Sequence, residues 1–248
     1  MSLSALAVRP VVWIGIVLAA AIAFMPATAP WFHAWYPELG TPVYSRASFF
    51  TLTISHVTLV AVSSVIVAVV GIAAGAFVTT TPGREFAGIV DRIVAIGQTF
   101  PPAAVLAVAV PATGYGAVPT LIALVAYGVL PVVETTVTGL AGVPDSVRQA
   151  ADGVGFTPLG RLARVELPIA LPVILTGLRT AVVINIGTAT IGSTVGALTL
   201  GSPIIEGLSG SNPAFVVQGA IVVALLAVFV DQLFEEAERV ATRHRAKP

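Results

Sequence analysis

Cysteine is absent from this 248-residue chain, which excludes disulfides, thiolate nucleophiles and cysteine metal sites together. Lysine is almost absent. Its only occurrence, Lys247, stands one residue from the end, whereas a Walker-type phosphate loop needs a lysine beside a glycine-rich turn to reach the phosphates. The chain therefore cannot bind ATP through such a loop. Charge is also scarce, at 10% of residues against 56% hydrophobic ones, with a mean hydropathy of +0.98. That composition cannot cover a water-soluble surface, so the sequence describes an integral membrane protein embedded in lipid. Twelve basic residues balance twelve acidic ones, leaving no net field to attract nucleic acid or an acidic partner.

What is present is a series of long apolar runs. No Asp, Glu, Lys or Arg occurs from Pro10 to Tyr36, between Arg46 and Arg84, or between Arg92 and Glu134. The last gap holds 41 residues, enough for two crossings, and Pro111, Gly114, Gly116 and Pro119 supply the break. Further runs extend from Ile169 to Leu198, interrupted by Arg179, and from Phe215 to Val230. The expectation is an all-α polytopic membrane protein with six transmembrane helices, near 11–29, 52–78, 93–112, 118–138, 169–198 and 214–233.

Loops rich in Arg and Lys stay on the cytoplasmic side. With the amino terminus inside, Arg9, Arg84, Arg92, Arg148, Arg161, Arg164, Arg239, Arg243, Arg245 and Lys247 are all cytoplasmic and only Arg46 is outside. This arrangement puts both termini and the segment 147–168 in the cytoplasm. The outer loop near 30–45 carries Trp31, Trp35 and Tyr36, aromatics suited to the interface. Arg9, the first apolar run and Ala27-Thr28-Ala29 also imitate a cleavable signal peptide. Cleavage would leave five spans in the same orientation.

The segment 147–168, VRQAADGVGFTPLGRLARVELP, is polar between apolar neighbours. Val147, Ala150, Ala151 and Val154 form an apolar stripe at helical spacing, with Asp145, Arg148 and Asp152 on the other side. Gly153 and Gly155 stop that helix. Thr157-Pro158 reads as the capped start of a second one, which Pro168 closes before the membrane is re-entered. Two short helices joined by a glycine turn make a rigid knob, of a shape that fits a cleft on another protein.

In this segment Gln149-Ala150-Ala151 is followed by three residues, Gly155, nine residues and Val165-Glu166-Leu167-Pro168. The pattern resembles the coupling loop of binding-protein-dependent ABC importer permeases, with Gln149 in place of the family's usual glutamate and Val165 in place of isoleucine. The resemblance runs from Phe50 to Asp231 and is closest to permeases for glycine betaine, choline and related quaternary amines. It is carried by Gln98-Thr99-Phe100-Pro101-Pro102, Tyr127-Gly128-Val129-Leu130-Pro131, Gly177-Leu178-Arg179-Thr180, the run 186–197 and the run 200–208. It implies a type I ABC importer permease fold over 48–233, preceded by a helix and outer loop (1–47) and followed by a basic tail (234–248). It also implies three protein partners: a cytoplasmic ATP-binding subunit docked on 143–168, a second permease subunit, identical or homologous, and an extracytoplasmic solute-binding protein. Gln149, Ala150, Ala151, Gly155, Val165, Leu167 and Pro168 would carry the coupling.

Polar groups inside a bilayer face protein or water. Asn185, Thr188, Thr190 and Ser193 in the fifth span therefore either line the translocation pathway or bond helix to helix, alongside tight packing at Gly187, Gly192 and Gly196. Glu134 and Arg179 are the charges placed inside spans. Arg179 lies about 16 Å along a helix from Pro168, deep enough to need a partner: a carboxylate, with Glu134 one candidate, or carbonyls at a helix end. Gly71 and Gly75 read as a helix-packing pair.

No catalytic residue, metal site or cofactor is expected. Gly207-Leu208-Ser209-Gly210 imitates the serine motif of rhomboid proteases, but the only later histidine is His244, in the tail. His33 and His56 stand too far apart in the chain from other ligands for a metal site. Against an ATP-driven permease stands a self-contained secondary transporter or channel; scarce intramembrane carboxylates argue against proton coupling.

Overall fold

The computed structural model describes residues 10–243, and every regular element among them is helical. In chain order these are α1 (Pro10–Phe24), α2 (Ala29–Trp35), α3 (Phe49–Thr79), α4 (Ala87–Thr99), α5 (Pro102–Thr113), α6 (Ala117–Ala141), α7 (Asp145–Gly153), α8 (Pro158–Arg161), α9 (Leu167–Ala189), α10 (Ser202–Ser209) and α11 (Pro213–Arg243). Among the described residues five helical stretches are long and apolar enough to cross a membrane: Pro10–Trp35, Phe49–Thr79, Ala117–Ala141, Pro158–Val195 and Pro213–Arg239. Arg9, His244, Arg245 and Lys247, which entered the orientation and protease arguments, lie outside the described residues.

The span expected near 93–112 is two shorter helices, α4 and α5. Proline at 101 forces Phe100 out of the helical region, to φ −76° and ψ 132°, and Pro102 then starts α5, where a missing N–H costs nothing. The Tyr127 hydroxyl donates to the Phe100 carbonyl left open by the break. The first span runs to Trp35 rather than ending at 29. Pro26 and Pro30 occupy first-turn positions of a 3-10 turn (Met25–Thr28) and of α2, so they tighten the helix without ending it. The break expected at 111–119 is a turn in which Gly114 (φ 80°) and Gly116 (φ 113°) take conformations that a side chain would resist.

The chain divides into two compact units. One comprises residues up to Ser63 with Pro101–Leu124 and Val183–Leu233; the other comprises Ser64–Phe100, Val125–Val182 and residues from Phe234 on. In the second unit α6 packs against α3 and α9. A Cβ on Gly71 would lie 2.7 Å from Val132 Cγ1, and one on Gly75 would lie 2.7 Å from Thr136 Cβ, so small residues one turn apart let α3 approach α6 closely. Gly177 does the same for α9, where a Cβ would stand 2.6 Å from the Pro131 carbonyl oxygen. Val67, Val132 and Ala181 form one buried cluster here, and Ala76, Leu140, Ala170 and Ile174 another.

In the first unit the loop after α2 is pinned to α11. The Tyr44 N–H donates to Gln218 Oε1 (3.0 Å), Gln218 Nε2 donates to the Pro42 carbonyl (2.6 Å), and the Tyr44 ring meets Phe215 edge-on at 5.4 Å. His56 is fully buried. Its Nδ1 accepts from the Leu200 N–H (3.3 Å), which leaves Nε2 to donate to the Ile186 carbonyl (3.1 Å) and fixes a neutral ring.

Candidate functional site

The knob expected at 147–168 is built as its local chemistry dictates. α7 ends at Gly153, and three consecutive N–H groups close it: Val154 to the Ala150 carbonyl, Gly155 to Asp152 and Phe156 to Ala151. The last two bonds are those of a Schellman cap. It requires a left-handed residue, and Gly155 supplies it at φ +90°. Thr157 then caps α8, its Oγ1 accepting from the Gly160 N–H at 3.1 Å, with Pro158 in the first turn.

Pro168 does not close the second helix. α8 continues through a π-helical turn, Leu162–Glu166, into α9. Proline at 168 removes a helical donor and would crowd the carbonyl four residues back; the widened turn just before it absorbs both effects. One helical stretch therefore runs over Pro158–Val195, and it carries Val165, Leu167 and Pro168 at one end and Asn185, Thr188, Thr190 and Ser193 at the other.

The expected apolar stripe is split between two faces. Ala151 is buried and Val147 half-buried, whereas Gln149, Ala150, Gly155 and Val154 are exposed. Val154 is 76% exposed and Leu159 is 74% exposed, so two large apolar side chains stand out from a small polar knob.

Beneath that surface lies a charge network that the sequence patterns did not reveal. Glu166, 7% exposed, sits between two arginines: Arg148 Nε donates to its Oε2 (3.2 Å) and Arg161 Nε to its Oε1 (2.7 Å). Arg148 also donates to Asp145 Oδ1 (3.0 Å) and to the Leu140 carbonyl (2.6 Å), while Arg161 grips both oxygens of Asp152 at 2.6 Å. Removing one partner of a buried pair typically costs about 3–5 kcal/mol. The pairs span up to 18 positions, beyond any helical period. The one sequence signal was an acidic residue at the membrane-facing end of an arginine-rich segment. Asp145, Arg148, Arg161 and Glu166 line a cleft of about 910 Å³ with Phe77, the 79–82 turn and Arg84.

The other expected site residues do not gather. Glu134 is exposed on α6. Arg179 pairs with Glu238 on α11, not with Glu134, at 3.7 Å. Asn185 is fully buried; its Nδ2 donates to Ser63 Oγ (3.2 Å), and its Oδ1 has no hydrogen-bond partner among the described residues. Ser193 bonds Thr199 Oγ1 (2.8 Å), Ser202 Oγ (3.2 Å) and the Ala197 carbonyl (3.1 Å), and Thr190 donates to the Gly187 carbonyl (2.7 Å). Thr188 is half-buried.

Comparison with known proteins gives this geometry a context. The family described as binding-protein-dependent transport system inner membrane component matches residues 68–239. The chain is 37% identical over 190 residues to the choline transport system permease protein OpuBB of Bacillus subtilis (strain 168), covering 77% of this chain and 87% of that protein. It is 39% identical over 178 residues to the osmoprotectant import permease protein OsmY of Salmonella typhimurium (strain LT2), covering 72% and 75%. In fold it is similar to a chain of the MetNI methionine ABC transporter in an inward-facing conformation, with a TM-score of 0.68 at 20% identity over 76% of this chain and 93% of that one.

Proposed function

The chain belongs to the binding-protein-dependent transport system inner membrane components, and from that premise we propose that it carries a small quaternary ammonium solute, of the glycine betaine or choline kind, through the inner membrane in an ATP-driven importer. The knob at 143–168 docks a separate ATP-binding subunit through Gln149, Ala150, Val154, Gly155 and Leu159, with Ala151 holding α7 to the chain beneath. Val165, Leu167 and Pro168 lie on the helix that leaves this surface for the membrane. ATP-driven closure of the partner pushes the knob, and the push passes along the Pro158–Val195 stretch.

The observation that carries this reading is the exposed apolar knob on a glycine turn, at the spacing of the family's coupling loop. The missing phosphate-loop lysine supports a separate motor, and the arginine distribution supports a cytoplasmic knob and tail. The identity to choline and osmoprotectant permeases supports the solute class. A second permease copy completes the pathway, with Glu134, Thr188 and Thr190 as its candidate lining and the Arg179–Glu238 pair as a candidate gate. Ser193, bonded to its own neighbours, holds the turn after α9, and Asn185 joins α9 to α3 through Nδ2 and Ser63. A binding protein on the outer face does most of the selecting, with aromatic rings suited to a quaternary ammonium.

The test is co-purification and uptake. Membranes containing this chain, the ATP-binding subunit and the binding protein are expected to accumulate labelled choline or glycine betaine only with ATP. Uptake driven by an ion gradient, with no ATP-binding subunit recovered, would reverse the conclusion in favour of a secondary transporter.

A further inference from the structure

We infer that Glu166 is the positioning residue that fixes the docking knob to the membrane helix it drives. The inference rests on the docking role proposed for 143–168. Two sets of bonds hold the knob, and they do different work. Asp152 and Arg161 join α7 to α8, so they keep the two arms of the knob together. Glu166 instead joins both arms to the start of α9: Oε2 takes Arg148 of α7 and Oε1 takes Arg161 of α8. Arg148 extends the grip to the Leu140 carbonyl near the end of α6. With Glu166 neutralised the knob would remain a knob, but α7 would lose its direct bond from Arg148 to the base of α9 and would follow α9 through the Asp152–Arg161 pair, the 154–157 turn and the buried Ala151.

The placement sets Glu166 apart from the exposed docking residues. Glu166 is buried, while the surface offered to a partner is Gln149, Ala150, Val154 and Leu159. Its position is also chemically demanding. Each carboxylate oxygen accepts from a different arginine Nε, so glutamine can satisfy only one and turns its amide N–H₂ toward the donor of the other. Aspartate keeps the charge but is one methylene short, while Arg148 approaches from α7 and Arg161 from five residues back on Glu166's own helical stretch.

The experiment compares wild type with Glu166→Gln and Glu166→Asp in proteoliposomes holding the full complex, with choline and glycine betaine as probes. The expected result is an ATP-binding subunit that stays bound and hydrolyses ATP in Glu166→Gln, while solute moved per ATP falls on the order of tenfold, well inside the range that loss of a buried ion-pair partner allows. Amide exchange within 145–153 should accelerate, and Glu166→Asp should fall between the two. An unchanged transport-to-hydrolysis ratio would overturn the inference. So would a proportional loss of binding, hydrolysis and uptake, or failure of both variants to assemble, since each would assign Glu166 to folding alone. Failure of the docking reading would appear in the wild-type complex, as no bound ATP-binding subunit; failure of this inference appears only in the variants.

Discussion

The two ends of the Pro158–Val195 helical stretch are both polar, yet they are held in opposite ways. At the start, three carboxylates and two arginines interlock, with Glu166 buried at the centre and Asp145 and Asp152 reaching the surface. At the far end the bonds are neutral: Ser193 meets Thr199, Ser202 and the Ala197 carbonyl, and Gly196 closes the last turn at φ 82°. Ion pairs hold geometry well where water can still reach part of them, and they become costly deeper in a bilayer, where hydroxyls and amides serve instead. The charged end leaves Val154 and Leu159 exposed. The neutral end spends its polar groups on itself.

Substitutions can break this contrast in order of severity. Gly155→Trp should have the largest effect, because the left-handed cap cannot accept a side chain without strain. Insertion should survive while association with the ATP-binding subunit disappears in a pull-down, and retained association would contradict the docking surface. At the neutral end His56→Leu should come next. It strands the Leu200 N–H and the Ile186 carbonyl, each buried, at about 1–3 kcal/mol apiece, which thermal unfolding in detergent will read as a lower midpoint without altered ATP-binding-subunit association. Arg179→Met removes a half-buried pair with Glu238 and should reduce uptake several-fold at normal abundance; normal uptake would leave the pair with helix orientation only. Asp152→Asn, at a half-exposed carboxylate, should shift stability by no more than about 1 kcal/mol, and a larger shift would show that the outer ion pair matters as much as Glu166.

The same contrast separates what could be read from the sequence. Gly155, the Thr157-Pro158 start and the Gly71 and Gly75 contacts were legible because each depends on rules acting within a few residues. Pro168 was misread as a stop because a π turn, which leaves no pattern in residue type, carries the helix past it. The span near 93–112 hid a break for a related reason: hydropathy is blind to it, and only Pro101 marks where the backbone extends. Glu166 was legible only as part of a motif. Arg148 lies on α7, 18 positions away, and Arg161 stands five residues back, a spacing that meets only across the π turn and not at an α-helical period. The pairing of Arg179 with Glu238 rather than Glu134 likewise depends on which helices meet.

The absence of cysteine makes the central claim directly testable. A single Val154→Cys in this chain, cross-linked in membranes with a short bifunctional thiol reagent, should capture the ATP-binding subunit, with a yield that changes when ATP is added. Cross-linking from Gly40→Cys, in the loop between α2 and α3, and none from position 154, would place the partner on that loop and contradict the coupling account.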